Sequence, residues 1–489
     1  MTMPSAQRSN PAARIRSTLS ALAARRSIVA LILGAGLTCA AAPARAGVPI
    51  DPPRGIRILV SDRDNDTIWL LQDLNNNGLI ENSEVRVFFS PANAAGTQAP
   101  ANPTAMDIRR DGLVIIGDQT NRQILRARDH NGDGSADGAL ESAVLATTTT
   151  WNVFGFPTGV GFDAAGSPLI VNAGNAANPN DGIYRLRDLN QDGDAEDTVA
   201  GNPEMIPFCN AAPLGPGNTS YSPQEITVIG GVVYMRESAT TFQGIWACRD
   251  TNGNGNGNAN DPGEFTPFLT AGNASAVTLS AGFGITPDPI RPASGNLGPA
   301  LYMFQTATGG IDQIIRARDT NGDGNANGAG EALLVYSDND PTLTGIDIVA
   351  LPDGSLLLLD NGAKKIHRLR DTNGDGIFQV SEKSVFFANS PLVIPDMRKL
   401  ALLPRHCTAD IGDDAGDAPP KWDAANAGVN EGDYNAFFNH FFLSAPANAV
   451  CDIADDAGFA PPRTGESNSG VNEGDYNAFF NSFFDGCTY

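Results

Sequence analysis

The chain has 489 residues, with 55 acidic side chains against 32 lysines and arginines and a formal net charge of −23. That length exceeds what one small core uses, so a large domain with additions is expected. The acid excess excludes a nucleic-acid binder, whose affinity rests on Lys and Arg neutralising phosphates.

Residues 1–46 carry six arginines (Arg8, Arg14, Arg16, Arg25, Arg26, Arg45) and no acid. An apolar run from Ile28 to Ala42 and an Ala44-Arg45-Ala46 end follow. A basic start, a short apolar segment and an A-x-A site describe a secretory signal peptide, so a secreted, extracytoplasmic protein is expected. The run of about 15 residues falls short of the ~20 a membrane span needs, and no later run is apolar enough to cross. Without the leader, 26 cationic side chains face 55 acids, a charge near −29. Those acids cluster at fixed spacings, which favours cation binding over solubility alone. Among the remaining cysteines, Cys209 and Cys248 are the two in the large region and are expected to pair. Cys407, Cys451 and Cys487 leave one odd thiol.

One segment then recurs six times: IWLLQDLNNNG, ILRARDHNGDG, IYRLRDLNQDG, IWACRDTNGNG, IIRARDTNGDG and IHRLRDTNGDG. Its first aspartates are Asp73, Asp129, Asp188, Asp250, Asp319 and Asp371, at spacings of 56, 59, 62, 69 and 52. Repeats of this length are stacking supersecondary units. Within a unit, 106–109, 113–117, 124–128 and 143–145 read as four short strands parted by turns, and 346–351, 356–359, 366–370 and 384–387 repeat them. The region opens with three strands (56–60, 68–71, 85–89) and ends with one too many, MRKLALL at 397–403. A closed ring whose last strand completes the first blade accounts for both ends and removes exposed sheet edges. The fold expected is mainly β, a six-bladed β-propeller over 47–404 with last-strand closure, plus a small α-helical calcium-loop domain. The blade pattern resembles six-bladed propellers of the NHL and TolB-like kind, a likeness that carries no function with it.

The recurring loops follow the spacing of calcium ligands, with side chains at positions 1, 3, 5, 9 and 12 and glycine at 6. Asp371, Asn373, Asp375 and Glu382 fit, as do Asp73, Asn75, Asn77, Glu81 and Glu84. The other loops lack an acid at position 12 apart from Asp261. Asp129, Asn131, Asp133 and Asp137, and Asp188, Asn190, Asp192 and Glu196, fill a nine-residue version. Asp319, Asn321 and Asp323 form a poorer set, like the loop at Asp250. This version resembles the calcium hairpins of integrin-type propellers, where the loop joins two strands. Asn-Gly and Asp-Gly also tip hairpins that hold no metal.

At the C-terminus GVNEGDYNAFFN occurs at 428–439 and again at 470–481, each after an acidic cluster. Tyr434, Phe437, Phe438, Phe441 and Phe442, with their counterparts 42 residues on, fall on one helical face and read mainly as core. Tandem loop–helix units over 407–489 resemble a dockerin domain, although an insertion parts the acids from V-N-E-G-D. By position Asp410, Asp413, Asp414 and Asp433, then Asp452, Asp455, Asp456 and Asp475, are ligand candidates. The resemblance implies a cohesin-like or other cell-surface partner.

The function expected is a calcium-binding scaffold or binding propeller, attached through its C-terminal module. The alternative is an enzyme of the lactonase or sugar-dehydrogenase kind with its site in the funnel. Four histidines (His130, His367, His406, His440) offer no base there. Asp62, Asp118, Glu237 and Asp360, at the ends of second strands, either face the channel or cap turns.

Overall fold

The computed structural model describes residues 56–403 apart from 76, 93–98, 110, 130–133, 138–140, 148–154, 174–180, 191, 211–221, 241, 258–260, 262, 272–276, 293–296 and 391, together with 431–442, 476, 477, 479, 480 and 483. The leader, Asn131, Asp133, the C-terminal acids other than Glu431 and Asp433, and Cys407, Cys451 and Cys487 lie outside the described residues.

Six four-stranded antiparallel sheets form the blades. Blade 1 contains β1 (Arg57–Asp62), β2 (Thr67–Gln72) and β3 (Val85–Phe89); blade 2 is β4 (Pro103–Ile108), β5 (Val114–Asp118), β6 (Gln123–Ala127) and β7 (Ser142–Thr147). In blade 3, β8 (Pro157–Phe162), β9 (Pro168–Asn172) and β10 (Gly182–Leu186) precede a small extra hairpin, β11 (Thr198–Val199) and β12 (Asn202–Pro203), before β13 (Met205–Asn210). Blade 4 is β14 (Pro223–Ile229), β15 (Val232–Glu237), β16 (Gly244–Cys248) and β17 (Phe265–Thr270). Blade 5 has a short inner strand β18 (Ile285–Pro287), then β19 (Ala300–Ala307), β20 (Ile311–Arg318) and β21 (Ala332–Asp338). Blade 6 is β22 (Gly345–Ala350), β23 (Leu356–Asp360), β24 (Lys365–Leu369) and β25 (Lys383–Phe387). The last strand, β26 (Met397–Leu402), pairs antiparallel with β1 and completes blade 1.

The second strands explain the apolar runs. VIIGD of β5 and LLLLD of β23 are buried at every position because a blade is covered on both faces. Six apolar cores result, each drawn from two neighbouring blades. Inner strands β26, β4, β8, β14, β18 and β22 each neighbour the next, and β22 returns to β26. The ring is closed.

The recurring loops join the third and fourth strands, and they fasten the ring. In every blade the eighth loop residue donates its backbone N–H to the fourth strand of the preceding blade. Ile80, Ala136, Ala195, Gly257, Ala326 and Phe378 bond the carbonyls of Phe386, Phe88, Leu145, Phe208, Phe268 and Val335 at 2.7–2.8 Å. These residues are buried, and an N–H left unpaired there would cost about 1–3 kcal/mol. Repetition of the loop therefore reports an interblade fastening as well as a blade count.

At the C-terminus, α1 (Glu431–Phe441) presents the aromatic stripe. Phe437 stacks on Phe479 at 4.0 Å, and both rings are fully buried. Tyr434 meets Phe483 and Phe441 meets Tyr476, each at 5.9 Å. Partners exchanged between positions 42 residues apart relate the two copies by a local twofold.

Candidate functional site

Each loop is closed on its first aspartate. The N–H of Gly78, Gly134, Gly193, Gly255, Gly324 and Gly376 donates to Oδ2 of Asp73, Asp129, Asp188, Asp250, Asp319 and Asp371 at 2.8–2.9 Å. These glycines hold φ between +80° and +101°, a region strained for other residues. Third and fifth positions then form successive turns: Asn77 N–H donates to Asn75 Oδ1, Leu79 N–H to Asn77 Oδ1, Asp375 N–H to Asn373 Oδ1 and Ile377 N–H to Asp375 Oδ1. Asn321 and Asp323 repeat this. Each oxygen keeps a second lone pair.

The loop at Asp188 gathers most acid. The Asn190 amide nitrogen lies 2.8 Å from Asp192 Oδ2 and 2.9 Å from Asp197 Oδ2, so two carboxylates converge on one point. Asp194 is raised above its ordinary value by burial and by the charges of Asp192, Glu196 and Asp197. Glu196 itself accepts a hydrogen bond from the Thr147 N–H of the neighbouring blade, and Asp197 stands beside Asn190 instead. Among the described residues no three carboxylate, imidazole or thiol groups gather as a metal site. The loop sets mix carboxylate, amide and carbonyl oxygens on short side chains, and that donor chemistry suits a hard divalent cation. Asp137 is exposed, and nothing further is described of its loop's third and fifth positions.

The expected twelfth-position acids serve the loop backbone. Glu84 Oε1 accepts from Leu74 N–H at 2.8 Å and Oε2 from Glu81 N–H at 2.9 Å. Glu382 does the same with Thr372 and Gln379. A glutamate stands immediately before the fourth strand in all six blades: Glu84, Glu141, Glu204, Glu264, Glu331 and Glu382. Glu204, Glu264 and Glu331 likewise receive N–H groups from the second and third loop residues. Their offset from the loop aspartate varies, which hid them in the sequence. Burial pushes the Glu331 carboxyl up, but hydrogen bonds from Thr320 and Gly328 outweigh it and hold it low. Bonds from Gln379 N–H and the Thr372 hydroxyl bring Glu382 to about 2. A folded-state pKa below the unfolded one contributes stability above the unfolded pKa and loses it as pH falls through the folded value. The stability these contacts supply should thus be lost between roughly pH 4.5 and 2, lowering the urea midpoint over that range; a midpoint constant from pH 5 to 3 would contradict these contacts.

The second-strand acids cap turns. Asp62, Asp118, Glu237 and Asp360 accept from the backbone just before the inner strand, at Asp396, Ala101, Ser222 and Thr344. They also hold their own hairpins, through Asn65, Asn121, Ala239 and Ala363. Asn172 and Gln305 take the same place in blades 3 and 5. An amide serves there as well as a carboxylate, so the position is architectural. His367 lies beside Asp360, with Nε2 at 3.4 Å, on a third strand.

Inner strands carry a cluster that strand pattern alone did not reveal. Lys399 of β26 reaches Glu225 of β14 and, at 3.1 Å, Asp347 Oδ1 of β22. Leu400 N–H donates to Asp347 Oδ2 at 2.7 Å. Asp107 of β4 faces the same charges, so blades 1, 2, 4 and 6 contribute. Burial raises Asp107 to about 6 and Asp347 to about 8, and lowers Lys399 to about 7. Direct contact of the ammonium with two carboxylates favours the charged pair. Gly159 makes room here, since a Cβ on it would stand 2.8 Å from the Glu225 Cα. A divalent ion does not fit, because the ammonium already holds the converging oxygens.

Cys209 and Cys248 come together as expected, but as buried thiols in contact across the interface of blades 3 and 4, without a disulfide.

No protein-family model and no curated protein matches the chain. Among solved structures, the Nidogen/Laminin complex aligns at 12% identity and TM-score 0.46, covering 72% of this chain and 100% of that one. The PQQ-bound aldose sugar dehydrogenase of Streptomyces coelicolor gives 12% and 0.37 over 60% and 83%. A calcium-binding regucalcin of Agrobacterium tumefaciens gives 12% and 0.33 over 56% and 72%. Likeness at this level concerns the fold alone. No helix among the described residues is long and apolar enough to cross a membrane.

Proposed function

We propose that the chain is a secreted, calcium-braced β-propeller acting as a binding or scaffold protein, assembled at the cell surface through residues 407–489. The observation that carries the calcium reading is the shared loop closure: in every blade an oxygen-rich loop closes on its first aspartate in the same way, and each fastens its blade to the previous one. Calcium held by Asp73, Asn75 and Asn77, or by their counterparts, would relieve the repulsion among loop acids. It would also stiffen the segment that makes the interblade bond. The C-terminal repeats, with 14 acids against Lys421 and Arg463, call for the same cation and offer the attachment module. Their likeness to dockerins points to a cohesin-like or other surface protein as partner.

A second reading, an enzyme with its site in the channel, is favoured by one observation. Asp107, Asp347 and Lys399 have values displaced toward neutrality, as groups that exchange protons do. It ranks second because the buried ammonium and carboxylates satisfy one another. The test of the first reading is capture from a native cell-surface extract by the full chain, in calcium and in EDTA, beside a chain ending at residue 404. Calcium-dependent capture lost on truncation is expected. Equal capture by the shortened chain would assign the partner to the propeller and overturn C-terminal attachment.

A further inference from the structure

The six interblade cores share one matched pair of positions. One is the residue after each fastened carbonyl of a fourth strand; the other lies two residues before the loop aspartate of the next blade. Five interfaces place apolar side chains there: Phe89 with Ala127, Ala146 with Leu186, Leu269 with Ala317, Tyr336 with Leu369 and Phe387 with Leu71. Only between blades 3 and 4 are both residues cysteine, Cys209 on β13 and Cys248 on β16. They are the propeller's two cysteines. Both are fully buried, and their side chains hydrogen-bond to each other.

We propose that Cys209 and Cys248 are a disulfide site that covalently ties blade 3 to blade 4 when the chain folds under oxidising conditions. An apolar interface is served by any well-packed pair, as the other five show, so packing alone does not call for two thiols at matched positions. The flanking bonds hold the pair in place: Gly257 N–H donates to the Phe208 carbonyl at 2.7 Å, and Arg185 Nη1 donates to the Gly255 carbonyl at 2.8 Å. In the reaction the two thiols lose two protons and two electrons, one Sγ–Sγ bond forms, and a small-molecule disulfide such as oxidised glutathione is reduced to two thiols. Burial makes the closed pair inaccessible to an oxidant, so oxidation precedes closure of the interface. Neither cysteine is itself a loop residue, so the bond uses no candidate calcium ligand.

The experiment denatures the full chain with reductant and refolds it in calcium, either in a glutathione redox buffer or in dithiothreitol. Free thiols are alkylated under denaturing conditions and peptides are mapped by mass spectrometry. A cross-linked peptide joining 209 to 248 is expected only after oxidative refolding, with a thermal midpoint about 3–8 °C above the reduced protein. A C209A/C248A variant should lose that redox-dependent difference. The same map on protein recovered from an oxidising cell compartment covers a failure to refold. Alkylation of both cysteines in the oxidised material would overturn the proposal, and so would a cross-link from either one to Cys407, Cys451 or Cys487.

Discussion

Replacing Lys399 by methionine is expected to cost about 3–5 kcal/mol of stability, because it strands buried carboxylates without their cation. Glu225 and Asp347 are 7% and 1% exposed, so bulk solvent contributes little to solvating their charge. Repulsion would act on inner strands of blades 4 and 6, which the ring holds in place. Adding Glu225→Gln and Asp347→Asn should recover a large share of the loss, since the polar oxygens then face no unpaired charge. Urea unfolding of the single and triple variants checks this. A K399M midpoint equal to the parent's would show that the channel ion pair contributes nothing.

Removal of calcium is the second large effect. A cation at a hundredfold excess over its Kd stabilises the folded state by about 2.7 kcal/mol per site. Several loops acting together should move the thermal midpoint by about 10 °C or more. The loop at Asp188 should contribute strongly, because Asp192, Asp194, Glu196 and Asp197 crowd one hairpin. Loops at Asp250 and Asp319, richer in Asn and Gly, should contribute least.

Blade architecture was legible because its signals are local. A strand, a turn and D-x-N-x-D-G recur at blade spacing, and a three-stranded start with one surplus strand at the end implies closure; β26 paired to β1 meets that expectation. Loop aspartates and glycines were legible for the same reason, since their contacts span five residues. The bracing glutamates were only partly legible. Glu84 and Glu382 keep the twelfth position, whereas Glu204 is displaced by the β11–β12 insertion, and a fixed-spacing search passes over it. The channel cluster was hidden for a different reason. Asp107, Glu225, Asp347 and Lys399 each look like one polar residue on a short strand, and only ring closure brings them together. Conversely, the four second-strand acids invited a catalytic reading, and turn capping accounts for each of them.

The calcium-braced ring is tested most directly by melting the full chain in EDTA, then after restoring excess calcium, with magnesium as the control. A midpoint lowered by about 10 °C or more in EDTA and recovered by calcium is the predicted result. An identical midpoint in all three conditions would contradict it.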